Sequence, residues 1–195
     1  MDDRSHRMTQ MGWGRFAAMI ATSTVIMFFL MYQLVYEWDH ALFSMTRLIS
    51  SLVMGCVMTA LMLAFMWKMY RPHAAKIAVL AVACIAGVGL LSINRDQTVI
   101  GDTDFMQAMI PHHSIAINNA RKADIRDPRV RYLADRITRD QVKEIAEMRM
   151  LLADIRQHGR RADRPLPAGT AAMTADGARE AKALVSGELL QRAPL

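Results

Sequence analysis

The sequence predicts an all-α protein in which three transmembrane helices precede a charged helical domain outside the bilayer. Three segments of the first half contain no Asp, Glu, Lys or Arg, namely residues 16–36, 48–67 and 77–93. At about 1.5 Å of rise per residue, each approaches the roughly 30 Å of hydrocarbon in a bilayer. From residue 94 onward, charged residues alternate with apolar residues at helical spacing. We therefore expect a membrane domain over 1–93, an outer helical domain over 94–158 and a tail over 159–195.

The first span has an alternative interpretation as a cleaved signal peptide. The apolar run is longer than a typical signal core, and no clear small-x-small cleavage site follows it, so we expect an uncleaved anchor. The third span is the shortest. Ala74 and Ala75 can extend it if Lys76 snorkels to the membrane surface.

The distribution of Lys and Arg predicts the orientation of the spans. The loop after the first span holds only Arg47, beside Glu37 and Asp39. The tail before the first span and the loop between the second and third are richer in basic residues: Arg4, Arg7, Arg15, Lys68, Arg71 and Lys76. By the positive-inside rule, the N-terminus is cytoplasmic. Everything after Ile93 then lies on the outer face of the cell (inner) membrane, in the periplasm or outside the cell.

The net charge of +6 divides evenly between residues 1–93 and the rest of the chain. The positive-inside rule accounts for the first part. In the outer half, basic and acidic residues are interleaved, which is typical of a solvated helix surface rather than a phosphate-binding stripe. We therefore expect the lipid bilayer, and no nucleic acid, as a partner.

Two helices are expected in the outer domain. Asp102 or Thr103 can cap the first, which continues to about Ala123. The dipeptide Asp127-Pro128 starts the second, and Gly159 ends it after about thirty residues. Beyond it, residues 159–172 have the composition of a linker. Residues 174–191 predict a weak amphipathic helix through Ala178, Ala181, Leu184, Val185 and Leu189.

Apolar stripes predict that the two outer helices pair. The second helix has a heptad-like stripe with polar residues in its middle: Val130, Ala134, Ile137, Gln141, Glu144, Met148, Leu151 and Ile155. The first helix has a matching stripe, with Phe105, His112 and Asn119 beside it: Met106, Met109, His113, Ala116, Ala120 and Ala123. Because a short turn joins the helices, we expect an antiparallel hairpin. Two helices bury little surface, so the hairpin needs a partner: a second copy, the membrane helices or the C-terminal segment.

One face of the first outer helix combines residues that bind soft metal ions. Met106, Met109 and His113 follow at steps of three and four, with His112 at the edge. Sulfur with imidazole favours copper, and thioethers favour Cu(I). Zinc more commonly takes Cys, His or carboxylate ligands, and the outer half has no Cys. Pro111 either kinks this helix or makes it restart, with both histidines in its new first turn.

The second outer helix would bring Gln141, Glu144 and Met148 to the same seam. Buried polar groups destabilise a fold unless they are satisfied, and a metal ion or a hydrogen bond to a histidine would satisfy them. The alternative is that the methionines fill the core and the histidine pair is a satisfied polar contact.

The core Met-x-x-Met-Ile-Pro-His-His at 106–113 is distinctive. Further motifs accompany it: Asp104, Ala116-Ile117, Asp127-Pro128, Leu133-Ala134, Gln141, Glu144-Ile145 and Met148. Over about residues 100–155 the chain thereby resembles the domain of unknown function 305 family. The three-span front end, with Asp39-His40 and Ser44-Met45-Thr46-Arg47 after the first span, is similar to the membrane-bound branch of that family.

The resemblance implies a ferritin-like helical fold and, as for some soluble members, copper binding and copper tolerance in the bacterial periplasm. Carried over by position, it implies the metal ligands Met106, Met109, His112, His113 and Met148. Many members have Met where this chain has Asn119, so one soft ligand is missing here. Glu144, Gln141 and His40 are secondary candidates.

Other possible ligands lie in the membrane half. Met54, Met58, Met62 and Met66 recur every four residues along the second span, and Cys56 and Cys84 lie near the middle of their spans. Thiols and thioethers would suit a Cu(I) path, but both are ordinary packing residues in lipid, and we favour packing. Glu37, Asp39 and His40 in the outer loop are either metal ligands or a solvated interfacial loop.

Three functions follow from these patterns. The first, which we favour, is a membrane-tethered protein that binds copper (Cu⁺ or Cu²⁺) on the outer face, in metal capture or tolerance. The second is a metal-dependent oxidase. The sequence has a single Glu-x-x-His, from Glu37 to His40, whereas di-iron bundles use this motif on each of two helices, and it has no recognisable nucleophile motif, so we expect no enzyme. The third is a structural or signalling module whose hairpin binds a partner helix or a second copy.

Overall fold

A computed structural model describes residues 12–189, and every regular element in that range is helical. Six α-helices follow in order: α1 (Trp13–Leu30), α2 (Met45–Phe65), α3 (His73–Asp96), α4 (Asp102–Lys122), α5 (Pro128–His158) and α6 (Ala175–Ser186). Two short 3₁₀ helices, Trp38–His40 and Trp67–Met69, lie in the loops. The prediction of an all-α fold is thus confirmed for the described residues.

Helices α1, α2 and α3 are each long and apolar enough to cross a membrane. This confirms the prediction of three apolar spans, although their bounds differ. Helix α1 begins at Trp13 and ends at Leu30 rather than at residue 36, because residues 31–34 form turns. Helix α3 continues to Asp96 and ends where Gln97 adopts a left-handed conformation, with φ of 54°. Arg4 and Arg7, which contributed to the predicted orientation, lie outside the described residues.

The described chain forms two compact units. The first contains residues 12–33 and 42–108, and the second contains residues 34–41 and 109–189. The division falls within α4. It also assigns the segment after α1, residues 34–41, to the same unit as α5.

In the first unit, α2 packs against both α1 and α3. Gly55 permits the contact with α1, because a Cβ at this position would lie 2.6 Å from Thr24 Oγ1. A buried cluster of Phe16, Leu63 and Tyr70 joins the ends of these helices, and Met62 and Met66 pack against it. These two methionines of the Met54, Met58, Met62 and Met66 stripe therefore have a packing role.

Lys76 is buried at the beginning of α3. Its Nζ donates to the backbone oxygen of Trp67 at 2.9 Å and lies 4.4 Å from the centre of the Trp67 ring. A carbonyl and an aromatic face thus stabilise the charge at the helix end.

In the second unit, α5 has the bounds that the sequence predicts. The Asp127 side chain accepts from the backbone N–H of Arg129 at 2.8 Å, and Pro128 is the first helical residue. Gly159 ends the helix with φ of 79°. Local signals at both ends were sufficient here because each acts within a few residues.

The buried face of α5 differs from the predicted stripe. Ala134 and Met148 are buried as expected, but the other buried residues are Ile145 and Leu152. Three stripe residues are instead exposed, namely Val130 at 48%, Ile137 at 38% and Leu151 at 52%. Two apolar rows lie side by side on this helix, and their periodicity is the same, so spacing alone could not choose between them.

Helix α4 runs without interruption through Pro111, so the expectation that it restarts at His112 is wrong. Its buried residues are Met106, Ile110, Pro111, Ser114, Ile117 and Asn118. Met109, His113 and Ala116 are half-buried, whereas Phe105, His112 and Asn119 are exposed. The buried row therefore lies beside the predicted one.

The described part of the tail has no helix from residue 159 to 174 and then forms α6. Thr174 caps this helix, and Gly187 is its C-cap with φ of 80°. Residues 188 and 189 are again helical, and the predicted end at residue 191 lies outside the described residues. Two contacts hold α6 against α5. Arg129 Nη1 donates to the Val185 oxygen at 2.9 Å, and Arg136 pairs with Glu180.

Candidate functional site

His113 of α4 faces Glu144 of α5. The imidazole Nδ1 lies 3.1 Å from Glu144 Oε2, and the His113 side chain is only 13% exposed. Nδ1 is buried and has no hydrogen-bond partner in the described structure, despite this short distance. Gln141 Nε2 donates to the same Glu144 oxygen at 3.2 Å. The predicted polar residues His113, Glu144 and Gln141 are thus brought together.

Burial lowers the pKa of His113, which is the largest effect on this group. The Glu144 carboxylate opposes that effect and His112 adds to it. A neutral imidazole is therefore favoured near pH 7, and neutral imidazole is the form that binds metal ions.

The other predicted ligands have different surroundings. His112 is exposed, and its ring centre lies 6.1 Å from that of His113. Met109 is half-buried one turn before His113, and Met148 is buried one turn after Glu144. Met106 is buried in the part of α4 that belongs to the first unit.

The segment 34–41 makes contacts with α4 and α5 that the sequence did not predict. His40 is buried, and its Nδ1 lies 3.0 Å from Ser114 Oγ, which also accepts from the backbone N–H of Tyr36 at 2.7 Å. Arg149 Nη2 donates to Asp39 Oδ2 at 2.7 Å. The sequence singled out Asp39 and His40 but neither Ser114 nor Arg149. A serine within the apolar row of Ile110 and Ile117 was the available signal, because a buried hydroxyl needs a partner.

Glu37, Asp39 and His40 present three potential ligand atoms within 4.8 Å of one another. His40 Nε2 lies 3.7 Å from a Glu37 oxygen and 3.9 Å from an Asp39 oxygen. The hydrogen bond from Arg149 is the main cause that lowers the pKa of Asp39, so this group is an ionised carboxylate at neutral pH.

Residues 102–191 match the model of a family described as Domain of unknown function (DUF305). The chain is also 42% identical over 60 residues to the uncharacterized protein L153 of Acanthamoeba polyphaga mimivirus. That alignment covers 30% of this chain and 40% of the viral protein. No solved structure matches. The family match confirms the resemblance of the outer half at the level of this domain.

Proposed function

We propose that this protein is a membrane-anchored transition-metal binding protein that holds copper between α4 and α5, on the outer face of the membrane, in metal capture or tolerance. The observation that carries the proposal is the buried Nδ1 of His113, which lacks a hydrogen-bond partner and faces the Glu144 carboxylate. A buried polar atom without a partner destabilises a fold unless an ion or another group satisfies it.

Two contacts support an antiparallel hairpin of α4 and α5. His113 meets Glu144 midway along the helices, and Arg131 Nη2 donates to the Ala120 oxygen at 2.8 Å near the connecting turn. In an antiparallel pair, residues one turn before His113 and one turn after Glu144 share a level. These residues are Met109 and Met148, so two thioethers would join the imidazole and the carboxylate.

This donor set suits copper. Thioether and imidazole are ligands that copper prefers, and thioethers favour Cu(I) in particular. His113, Met109 and Met148 would hold the ion beside the Glu144 carboxylate, and Gln141, which donates to that carboxylate, would orient it. His112 is one residue away on the exposed surface, where it can deliver an ion to the site.

The experiment is Cu(I) binding by the full chain, purified in detergent without an affinity His-tag and titrated against a chromophoric Cu(I) chelator. We expect His113→Ala and Met148→Leu each to weaken binding by at least roughly tenfold. His158→Ala is the matched control, because His158 is an exposed histidine of α5 that pairs with Asp154. Equal Cu(I) affinity in wild type and His113→Ala would refute the proposal.

A second candidate function rests on the exposed apolar residues Val130, Ile137 and Leu151 of α5. A second copy of the hairpin that covered them would make the protein a homo-oligomer and an association module. In that case Ile137→Asp reduces self-association, measured by analytical ultracentrifugation in detergent. If binding of Cu(I) is absent while Ile137→Asp dissociates an oligomer, association is the function.

A further inference from the structure

We propose that Glu37, Asp39 and His40 form a second metal site, for an exchangeable divalent ion such as Zn²⁺, that is separate from the copper site. This site does not depend on the proposed copper function, because it uses different residues and has carboxylate oxygens where the copper site has thioether sulfur.

The spacing of the three donors fits a small cation. The Nε2 of His40 lies 3.7 Å and 3.9 Å from the two carboxylate oxygens, and all three ligand atoms lie within 4.8 Å. Ligands that bind Zn²⁺ tetrahedrally at about 2.0–2.2 Å lie roughly 3.4 Å apart. Nε2 is therefore within a few tenths of an ångström of the required separation from each carboxylate oxygen, and rotation of the exposed Glu37 and Asp39 side chains would bring their oxygens together.

His40 provides the independent observation that points to a ligand. Its side chain is only 9% exposed, and Nε2 is directed at Glu37 and Asp39 from beyond hydrogen-bond distance. Among the described residues, Nε2 makes no hydrogen bond, whereas Nδ1 lies 3.0 Å from Ser114 Oγ. A hydroxyl oxygen can accept two hydrogen bonds, so Ser114 can accept from both Tyr36 N–H and His40 Nδ1–H. The lone pair of Nε2 then faces two carboxylates, an arrangement that a cation stabilises.

The surrounding residues orient the ligands as they do in known metal sites. Metal-binding histidines usually donate their other ring N–H to a neighbouring acceptor, and ligand carboxylates are themselves hydrogen-bonded. Ser114 has the first of these roles for His40. Arg149 has the second for Asp39, since it donates to Oδ2 and to the Asp39 backbone oxygen at 3.1 Å, while Oδ1 faces His40.

The donor set selects the class of ion. One imidazole and two carboxylates suit Zn²⁺ and similar divalent ions, whereas Cu(I) prefers sulfur and Ca²⁺ requires more oxygen ligands. The two carboxylates and one guanidinium leave a net negative charge that favours a cation. Glu37 and Asp39 are 57% and 59% exposed, so water can complete the coordination and the ion can exchange.

The test uses Co²⁺ as a spectroscopic substitute for Zn²⁺ on the full chain in detergent. The His113→Ala variant serves as the background, so that the α4–α5 site does not contribute. We expect visible d–d absorption on Co²⁺ addition and its loss when Zn²⁺ displaces Co²⁺. Glu37→Gln should weaken Co²⁺ binding by at least roughly tenfold, because an amide is a poorer ligand for such ions than a carboxylate.

Glu147→Gln is the matched control, since Glu147 is a half-exposed acid of α5 that pairs with Lys143. The proposal is overturned if the His113→Ala protein binds no Co²⁺, or if Glu37→Gln and Glu147→Gln bind it equally well. Absence of Cu(I) binding by the wild-type protein, with Co²⁺ binding retained in the His113→Ala protein, would contradict the copper function alone. Cu(I) binding by the wild-type protein without Co²⁺ binding by the His113→Ala protein would contradict this second site alone.

Discussion

The protonation of His113 results from two opposing effects on one imidazole. An adjacent carboxylate such as Glu144 favours the charged form, whereas burial favours the neutral form, and burial has the larger effect here. Because the imidazole is neutral near pH 7, a metal ion has no proton to displace from its accepting nitrogen. The same carboxylate would also compensate part of the charge of a bound ion.

Asp127 is the residue whose local role can be tested most simply. Its carboxylate accepts hydrogen bonds from the backbone N–H and the side chain of Arg129 at the start of α5. We expect Asp127→Ala to lower the thermal midpoint of the outer domain, measured by circular dichroism of the full chain, because the first turn loses its cap. Asp127→Asn is the control that keeps an accepting oxygen, and its midpoint should fall less. Equal midpoints for the three proteins would contradict the capping role.

The ionised form of Asp127 also predicts a pH dependence. Hydrogen bonds from Arg129 lower the pKa of Asp127 from 3.8 to about 2. A carboxyl group with a lowered pKa in the folded state stabilises that state fully above pH 3.8, and this contribution is lost as the pH falls through about 2. The difference in thermal midpoint between wild type and Asp127→Asn should therefore narrow over this range. A difference that is constant from pH 5 to pH 2 would be inconsistent with a charged cap.

At the level of elements, the bounds of α5 were predictable and its buried face was not. Asp127-Pro128 and Gly159 act on their own neighbours, so the sequence is sufficient to place both helix ends. The choice between Leu151 and Leu152 depends on which parts of the fold cover α5, and both residues are equally apolar. The buried row of α4 differs from the predicted row for the same reason. Ser114 is buried there, although a serine is expected at the surface from its residue type alone.

The buried face observed for α5 predicts that substitutions at two adjacent leucines have different effects on stability. Leu152 is 4% exposed, so Leu152→Ala should lower the free energy of unfolding by about 2–5 kcal/mol through lost burial and a residual cavity. Leu151 is 52% exposed, and Leu151→Ala should change the free energy of unfolding by less than about 0.5 kcal/mol. Denaturant titration of the full chain in detergent, followed by circular dichroism, measures both. A larger effect of Leu151→Ala than of Leu152→Ala would mean that α5 buries the stripe that the sequence predicts.

The contacts of residues 34–41 could not be predicted from the sequence for a different reason. His40 and Ser114 are 74 residues apart, and Asp39 and Arg149 are 110 residues apart. Periodicity and capping act over a few residues, so they carry no information about such pairs. The candidate ligands Glu37, Asp39 and His40 were recognisable by residue type, but the groups that orient them were not.

Across the whole molecule, the two proposed sites differ in chemistry and share the side of the membrane on which they would lie. Sulfur and imidazole on α4 and α5 would suit copper, and carboxylates with imidazole in the 34–41 segment would suit Zn²⁺. The residues of the 34–41 site follow one span, α1. The residues of the copper site on α4 and α5 follow three spans, so an odd number of spans precedes each site. If all three helices cross the membrane, both sites would face the same compartment, which the positive-inside rule predicts to be the outer one.

This orientation is tested with single cysteines in a Cys56→Ala, Cys84→Ala background, labelled in spheroplasts by a membrane-impermeant maleimide. Ala168→Cys lies in the exposed segment after α5, and His73→Cys lies at the exposed start of α3. We expect Ala168→Cys to react in intact spheroplasts and His73→Cys to react only after permeabilisation, because the positive-inside rule predicts that the basic second loop is cytoplasmic. The reverse pattern would place both sites in the cytoplasm, where capture of ions from outside the cell is impossible. Labelling of both positions in intact spheroplasts would mean that one of the three apolar helices does not cross the membrane.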